Sequence, residues 1–316
     1  MKRGDNMIAT VLLFTAGLIL ICIAGDRLVD AAAAIARKAA IPQIVVGATI
    51  VSLGTTLPEI LVSTTAAFGG SAAIAAGNAF GSIICNTALI AGLSQIIRPV
   101  RQVGAASIAW RSFFFFLVIG AMEICGGVKG AYGRPFGILL LAAFVVYACL
   151  TVRLSSGEEC EEAEGGEDIS IPKQLFLLAL CAVLLYAGAN LLVDNGILIA
   201  QSLGVPERVI AVTFIALGTS LPELVTSMAS LIKGYGNVGL GNVIGANILN
   251  LLLVIGIPAA VQGIPLERQT ILVDIPLSIA VMAVLLGPIL IWKKTFRVQG
   301  IVLLGIYVLY CIRSFL

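Results

Sequence analysis

The sequence predicts an all-α polytopic membrane protein with ten transmembrane helices in two inverted five-helix repeats. Three observations point that way. Of 316 residues, 59% are hydrophobic and only 11% charged, with a mean hydropathy of +1.09. Soluble domains are nearer half apolar and a quarter charged, so this chain lacks the polar residues to cover a water-facing surface, and a soluble enzyme is excluded. Apolar stretches of the roughly 20 residues that a helix needs to cross a bilayer recur from Met7 to Leu316. Finally, the second half of the chain repeats the first, which makes the pattern architectural.

Breaks at Gly, Pro and charged clusters delimit spans near 7–38, 43–67, 72–97, 107–125, 134–153, 172–202, 207–232, 237–261, 269–291 and 298–315. The first follows Met1-Lys2-Arg3 and is read as a helix rather than a signal peptide, because it is long and no A-x-A site follows it. Residues 1–154 form the first repeat and 171–316 the second. Between them, 155–170 holds seven of the 17 acids and reads as a solvated linker rather than a cation-sensing segment.

With the N-terminus outside, eleven basic residues fall inside: Arg37, Lys38, Arg98, Arg101, Arg111, Arg153, Lys173, Lys233, Lys293, Lys294 and Arg297. Seven fall outside, with Arg27 unassigned within the first span, so the positive-inside rule favours both termini outside and the linker in the cytoplasm; the expected location is the cell (inner) membrane. The net charge of +2 suggests no nucleic-acid partner. The chain has no histidine, which removes the usual neutral-pH proton shuttle and the commonest transition-metal ligand. The seven cysteines show no C-x-x-C spacing and read as small core residues.

A shift of 164 residues carries Leu53-Gly54-Thr55-Thr56-Leu57-Pro58-Glu59 onto Leu217-Gly218-Thr219-Ser220-Leu221-Pro222-Glu223. The same shift carries Leu28-Val29-Asp30 onto Leu192-Val193-Asp194, Gly77-Asn78 onto Gly241-Asn242, Gly81 onto Gly245 and Asn86 onto Asn250. An odd number of spans per unit makes the second copy enter from the opposite side, the plan of many secondary transporters that bind substrate where the repeats meet.

Glu59 and Glu223 each sit within an apolar span. A carboxylate near the bilayer centre costs about 2.5–3.5 kcal/mol even on insertion scales, so each needs a polar surrounding and a partner. Neither has an obvious Lys or Arg partner in its own span, which leaves a bound cation as the natural counter-charge. Thr55 and Thr219 lie four residues before these acids and share their helical face. Pro58 and Pro222 each remove an amide donor, so the carbonyls near Ser52 and Ala216 are expected to turn towards a cation. In the next span Ser82 and Asn86 share a face, with Ala246 and Asn250 as counterparts. This all-oxygen set suits a hard cation such as Ca²⁺, which takes 6–8 oxygens. The Gly77-x-x-x-Gly81 and Gly241-x-x-x-Gly245 spacings read as close helix packing. Asp26, Asp30, Asp194, Glu123 and Asp274 lie nearer span ends and read as interfacial or salt-bridged.

The two Gly-Thr-Thr/Ser-Leu-Pro-Glu motifs, each followed by Gly-Asn-x-x-Gly-x-x-x-x-Asn, resemble the paired alpha repeats of sodium/calcium exchangers in the cation/calcium exchanger superfamily. The compact chain looks like a prokaryotic member. The resemblance implies Na⁺/Ca²⁺ antiport, with Glu59 and Glu223 as shared ligands and Ca²⁺ and Na⁺ as cargo, without a cofactor. It adds Thr55, Thr219, Ser82 and the carbonyls of Ser52 and Ala216 as Na⁺ ligands, with Thr56 and Ser220 of the motifs and the central Asn86 and Asn250. The family often has Ser where this chain has Ala246, which removes one hydroxyl. Potassium-dependent relatives have Asp at one central Asn position, so two asparagines argue against K⁺ dependence. H⁺/Ca²⁺ exchange is the alternative within the class, and a channel or passive sensor is the alternative outside it.

Overall fold

The computed structural model describes residues 2–39, 41–155, 170–204 and 218–315, which leaves most of the acidic linker, the start of the expected seventh span and Ala216 outside the described residues. The described chain is overwhelmingly helical. In order it forms α1 (Lys2–Lys38), α2 (Gln43–Thr55), α3 (Leu57–Phe68) and α4 (Ala73–Ile97). Then come α5 (Ala105–Lys129), α6 (Arg134–Ser155), α7 (Ile171–Ser202) and α8 (Leu221–Ile232). The chain finishes with α9 (Gly236–Gln262), α10 (Thr270–Trp292) and α11 (Arg297–Phe315).

Among the described residues seven helices are long and apolar enough to cross a membrane, and the α2–α3 pair, bent by 43°, makes an eighth candidate. Helix limits fall within a few residues of those read from Gly, Pro and charge. At the ends of α3 and α8 the reason is visible. Gly70 and Gly234, 164 residues apart, adopt left-handed φ of +84° and +83°. The amides of Ser71 and Tyr235 then reach back to the carbonyls of Ala66 and Ser230, each at 2.8 Å, closing the same terminal motif twice.

Small residues set the packing. A Cβ on Gly241 or Gly245 would collide with the α2 carbonyls of Ile44 and Ala48, and one on Gly47 with that of Val238, so α2 and α9 lie backbone to backbone. Gly17 and Gly188 do the same for α1 and α7, where a Cβ on Gly17 would lie 2.8 Å from the Leu192 amide. Two apolar clusters result. One joins Leu28 and Ile21 of α1 to Leu178 and Leu185 of α7; the other, larger, gathers Phe80, Phe115, Leu252 and Leu285 from α4, α5, α9 and α10.

Two short ladders tie the ends of the bundle. Ala131 and Tyr132 (β1) pair antiparallel with Pro265 and Ile264 (β2). At the other end of α5, Thr295 donates its amide to the Val100 carbonyl at 3.0 Å and its hydroxyl accepts from the Val100 amide at 2.8 Å. Val100 and Ile264, and Ala131 and Thr295, are again 164 residues apart. Shift-related contacts thus occur about 37 Å apart, the length of the 25-residue α5.

Charges near the helix ends behave unequally. Lys233, just past α8, pairs with Asp26 at 2.7 Å and Asp30 at 2.6 Å, so those two acids are salt-bridged as expected. Partial burial works against its charge, but the hydrogen bonds to Asp26 and Asp30 outweigh this and raise the Lys233 pKa. Arg111, one of the basic residues counted inside, is 1% exposed within α5, its guanidinium 4.6 Å above the Trp110 ring and its Nη1 donating to the Ser107 carbonyl at 2.9 Å. The six described cysteines are free thiols, and Cys160 falls outside the described residues.

Candidate functional site

Glu59 and Glu223 stand in the first turns of α3 and α8, three residues after Thr56 and Ser220. Thr-x-x-Glu and Ser-x-x-Glu are capping-box patterns, in which the hydroxyl ordinarily bonds its own helix terminus. Here neither helix has a side-chain cap. Thr56 Oγ1 instead donates to Glu223 Oε1 at 3.3 Å, and Ser220 Oγ to Ser82 Oγ at 3.4 Å. Ser82 Oγ in turn lies 3.5 Å from Glu59 Oε1. The capping hydroxyls therefore link the two halves, drawing the N-termini of α3 and α8 together.

Both carboxylates are 0% exposed. The only ion pairs among the described residues belong to Lys233, so no cationic side chain neutralises either acid. Two buried carboxylates without a counter-charge repel each other and need cations or protons to stay buried.

An asparagine from each repeat locks the surround. Asn78 Nδ2 donates to Ser63 Oγ at 2.9 Å and to the Glu59 carbonyl at 3.2 Å, while its Oδ1 accepts from Thr219 at 3.4 Å. At the shifted positions Asn242 Nδ2 donates to Ser227 Oγ at 3.5 Å, and its Oδ1 accepts from Thr55 at 3.1 Å. Each asparagine thus fixes the motif threonine of the other repeat. Neither was among the residues read as ligands, although the repeat alignment carried both. Shared position was the signal, and only the fold shows that they hold the site walls.

Asn86 and Asn250 sit where α4 and α9 pass through π-helical turns, Cys85–Ala91 and Asn250–Val254. Such turns re-aim the residues that follow and occur often at functional sites. Asn86 Nδ2 donates to Asn247 Oδ1 at 3.3 Å, and Asn247 Nδ2 to Thr87 Oγ1 at 2.7 Å. Asn250 makes no hydrogen bond from either amide atom.

Four of the buried oxygens without a hydrogen-bond partner belong to the motif residues: Oε2 of Glu59, Oε2 of Glu223, and Oδ1 of Asn86 and of Asn250. They form two repeat-related pairs and come from four helices, α3, α8, α4 and α9. Buried polar atoms in native proteins are nearly always satisfied, so four bare acceptors at repeat-related positions make these residues candidates to receive a ligand. No group of three His, Cys, Asp or Glu side chains gathers among the described residues. The site is mixed carboxylate, amide and hydroxyl oxygen, the chemistry of a hard cation.

The Ser52 carbonyl is not freed by the helix break: it accepts the Thr56 amide at 2.9 Å and lies 3.3 Å from the Thr55 hydroxyl. Pro58 falls in the first turn of α3, where its missing amide would have reached Gly54, not Ser52. The corresponding expectation for Ala216 lies outside the described residues.

Comparison with known proteins places this geometry. The family model for "sodium/calcium exchanger protein" matches residues 9–153 and 173–316. The inner membrane protein YrbG of Escherichia coli is 31% identical over 316 residues, 96% of each chain. The sodium/calcium exchanger MaX1 of Methanosarcina acetivorans is 27% identical over 346 residues, covering 96% of this chain and 98% of that one. A solved structure of the sodium-calcium exchanger NCX_Mj, soaked with Na⁺ and Sr²⁺, matches with a TM-score of 0.82 at 32% identity, over 96% of this chain and 98% of that chain.

Proposed function

The chain belongs to the sodium/calcium exchanger family, a family of membrane transporters, and we propose that it is an electrogenic antiporter exchanging Na⁺ for Ca²⁺ by alternating access. The observation that carries this reading is the set of four unpartnered oxygens of Glu59, Glu223, Asn86 and Asn250. Two carboxylates balance one Ca²⁺ or most of the charge of two or three Na⁺. Both ions compete for the same oxygens, so loading one displaces the other, and downhill Na⁺ drives Ca²⁺ uphill.

In this reading Thr55, Thr56, Ser82, Thr219 and Ser220 complete the Na⁺ coordination. The Thr55 hydroxyl has one proton and two acceptors, the Ser52 carbonyl and Asn242 Oδ1. Committing that proton to Asn242 leaves the Ser52 carbonyl with only the Thr56 amide, and its second lone pair then joins the ligands, with Ala216 as its repeat mate. Ten spans in two inverted repeats account for shift-related contacts at opposite ends of α5. The α1–α7 pair, held by its own apolar cluster, slides across the remaining helices to open the site to one side at a time. Both termini face outward from the inner membrane and the acidic linker lies in the cytoplasm.

Equilibrium binding tests the shared site. Radioactive Ca²⁺ bound to the purified protein is expected to be displaced by Na⁺ and not by K⁺, and Glu223→Gln is expected to abolish the binding. Ca²⁺ binding indifferent to Na⁺ but released by acid would make the protein a proton-coupled exchanger.

A further inference from the structure

A cavity of about 730 Å³ opens where the loop after α4, the start of α9 and the start of α11 meet. Its charged lining is all arginine: Arg98, Arg101 and Arg297. No Asp or Glu contributes, and none of the three arginines has an ion-pair partner among the described residues. Arg98 is anchored, its Nη1 donating to the Leu231 carbonyl at 3.4 Å. Arg101 and Arg297 are exposed and line the same cavity. Gly236 and Asn237, the first residues of α9, line the same cavity, and no side chain caps that helix. The positive end of its dipole thus adds to the arginine field.

Apolar surface begins at the rim. Ile97 lines the cavity and is 52% exposed, while Ile291 and Trp292 are exposed on the end of α10. That segment is tied to the arginine loop through the Thr295–Val100 bonds. The site therefore presents arginine forks beside a hydrocarbon-facing wall. Basic residues at helix ends serve topology wherever they stand, whereas three converging on one concavity with an uncapped helix start make a receptor for phosphate. A volume in the range of small-molecule pockets exceeds what a free phosphate needs and suits a glycerophosphate with its chains still in the bilayer.

We propose that this cavity binds the headgroup of an anionic phospholipid. Arg101 and Arg297 grip the phosphate oxygens, Arg98 and the start of α9 form the back wall, and the acyl chains run past Ile97. The site is separate from the cation ligands and does not depend on which ion drives exchange.

The test uses the full chain in mild detergent, titrated with phosphatidylglycerol, phosphatidylcholine or inorganic phosphate. Native mass spectrometry reads the retained lipid, and thermal unfolding reads stabilisation. One phosphatidylglycerol is expected to be retained in preference to phosphatidylcholine. Affinity is expected to fall at least tenfold in the Arg101→Gln/Arg297→Gln double variant and less in the corresponding double Lys variant. Stabilisation by Ca²⁺ reports that each variant is folded, and Arg101→Gln alone, with a smaller expected loss, serves if the double variant is not. Equal retention of both lipids, or unchanged phosphatidylglycerol binding in a folded variant, would overturn the proposal. Stabilisation by inorganic phosphate without phosphatidylglycerol retention would also overturn it, reassigning the cavity to a soluble anion.

Discussion

The first repeat carries Ser82 where the second carries Ala246, and Thr56 where the second carries Ser220. The Asn86 amide is donated to Asn247, while the Asn250 amide is bare. The helix ends differ too: Arg98 holds the Leu231 carbonyl, and at the shifted positions neutral Gln262 holds the Ala67 carbonyl. Lys233 pairs with α1 at one end only, because its shifted position is Gly69. What the halves share is the carboxylate, the central asparagine and the asparagine–threonine lock, the parts on which the proposed cation site rests. Where they differ, the two halves of that proposed site and the two ends of the bundle are unequal.

The shared elements give the largest expected effects. Glu59→Gln and Glu223→Gln are each expected to lower Ca²⁺ transport at least a hundredfold in proteoliposomes with expression intact; a surviving rate in either would break the equivalence of the halves. Next come the locks. Asn78→Ala leaves the Ser63 hydroxyl and Glu59 carbonyl without their donor and should cost about 1–3 kcal/mol. Asn242→Ala loses two hydrogen bonds, to Ser227 and from Thr55, against the three of Asn78, and should cost less in thermal unfolding.

Unlike positions give smaller, directional effects. Ala246→Ser restores the hydroxyl that Ser82 supplies in the other half and is expected to lower the Na⁺ concentration for half-maximal exchange about threefold, with Ca²⁺ affinity little changed. Lys233→Gln removes partly exposed ion pairs, so stability should shift by no more than about 1 kcal/mol. Its expected signature is a changed ratio of Na⁺ affinities measured from the two sides of the membrane.

Much of this was legible in the residues. Hydropathy and punctuation located the helices because Gly70 and Gly234 end them by backbone geometry that a sequence displays directly. The acids and central asparagines stood out because a polar residue in an apolar span has few structural reasons to be there. Asn78 and Asn242 were visible as repeats, but their work is done across the repeat interface, which spacing along one helix cannot show. The Ser52 carbonyl keeps its bond to the Thr56 amide, because a proline in the first turn of a new helix frees the carbonyl four residues back, at Gly54. Arg111 looked like an interfacial charge, since its cover by Trp110 and Ser107 depends on where α5 begins.

The most direct test is radioactive Ca²⁺ uptake into proteoliposomes loaded with Na⁺, compared with vesicles loaded with K⁺ or acid. Uptake that requires the outward Na⁺ gradient, and accelerates when the vesicle interior is made positive, because three Na⁺ leaving for each Ca²⁺ entering carry net positive charge outward, is the expected result. Uptake driven by the pH gradient with Na⁺ absent would contradict it and make the buried Glu59–Glu223 pair a proton carrier.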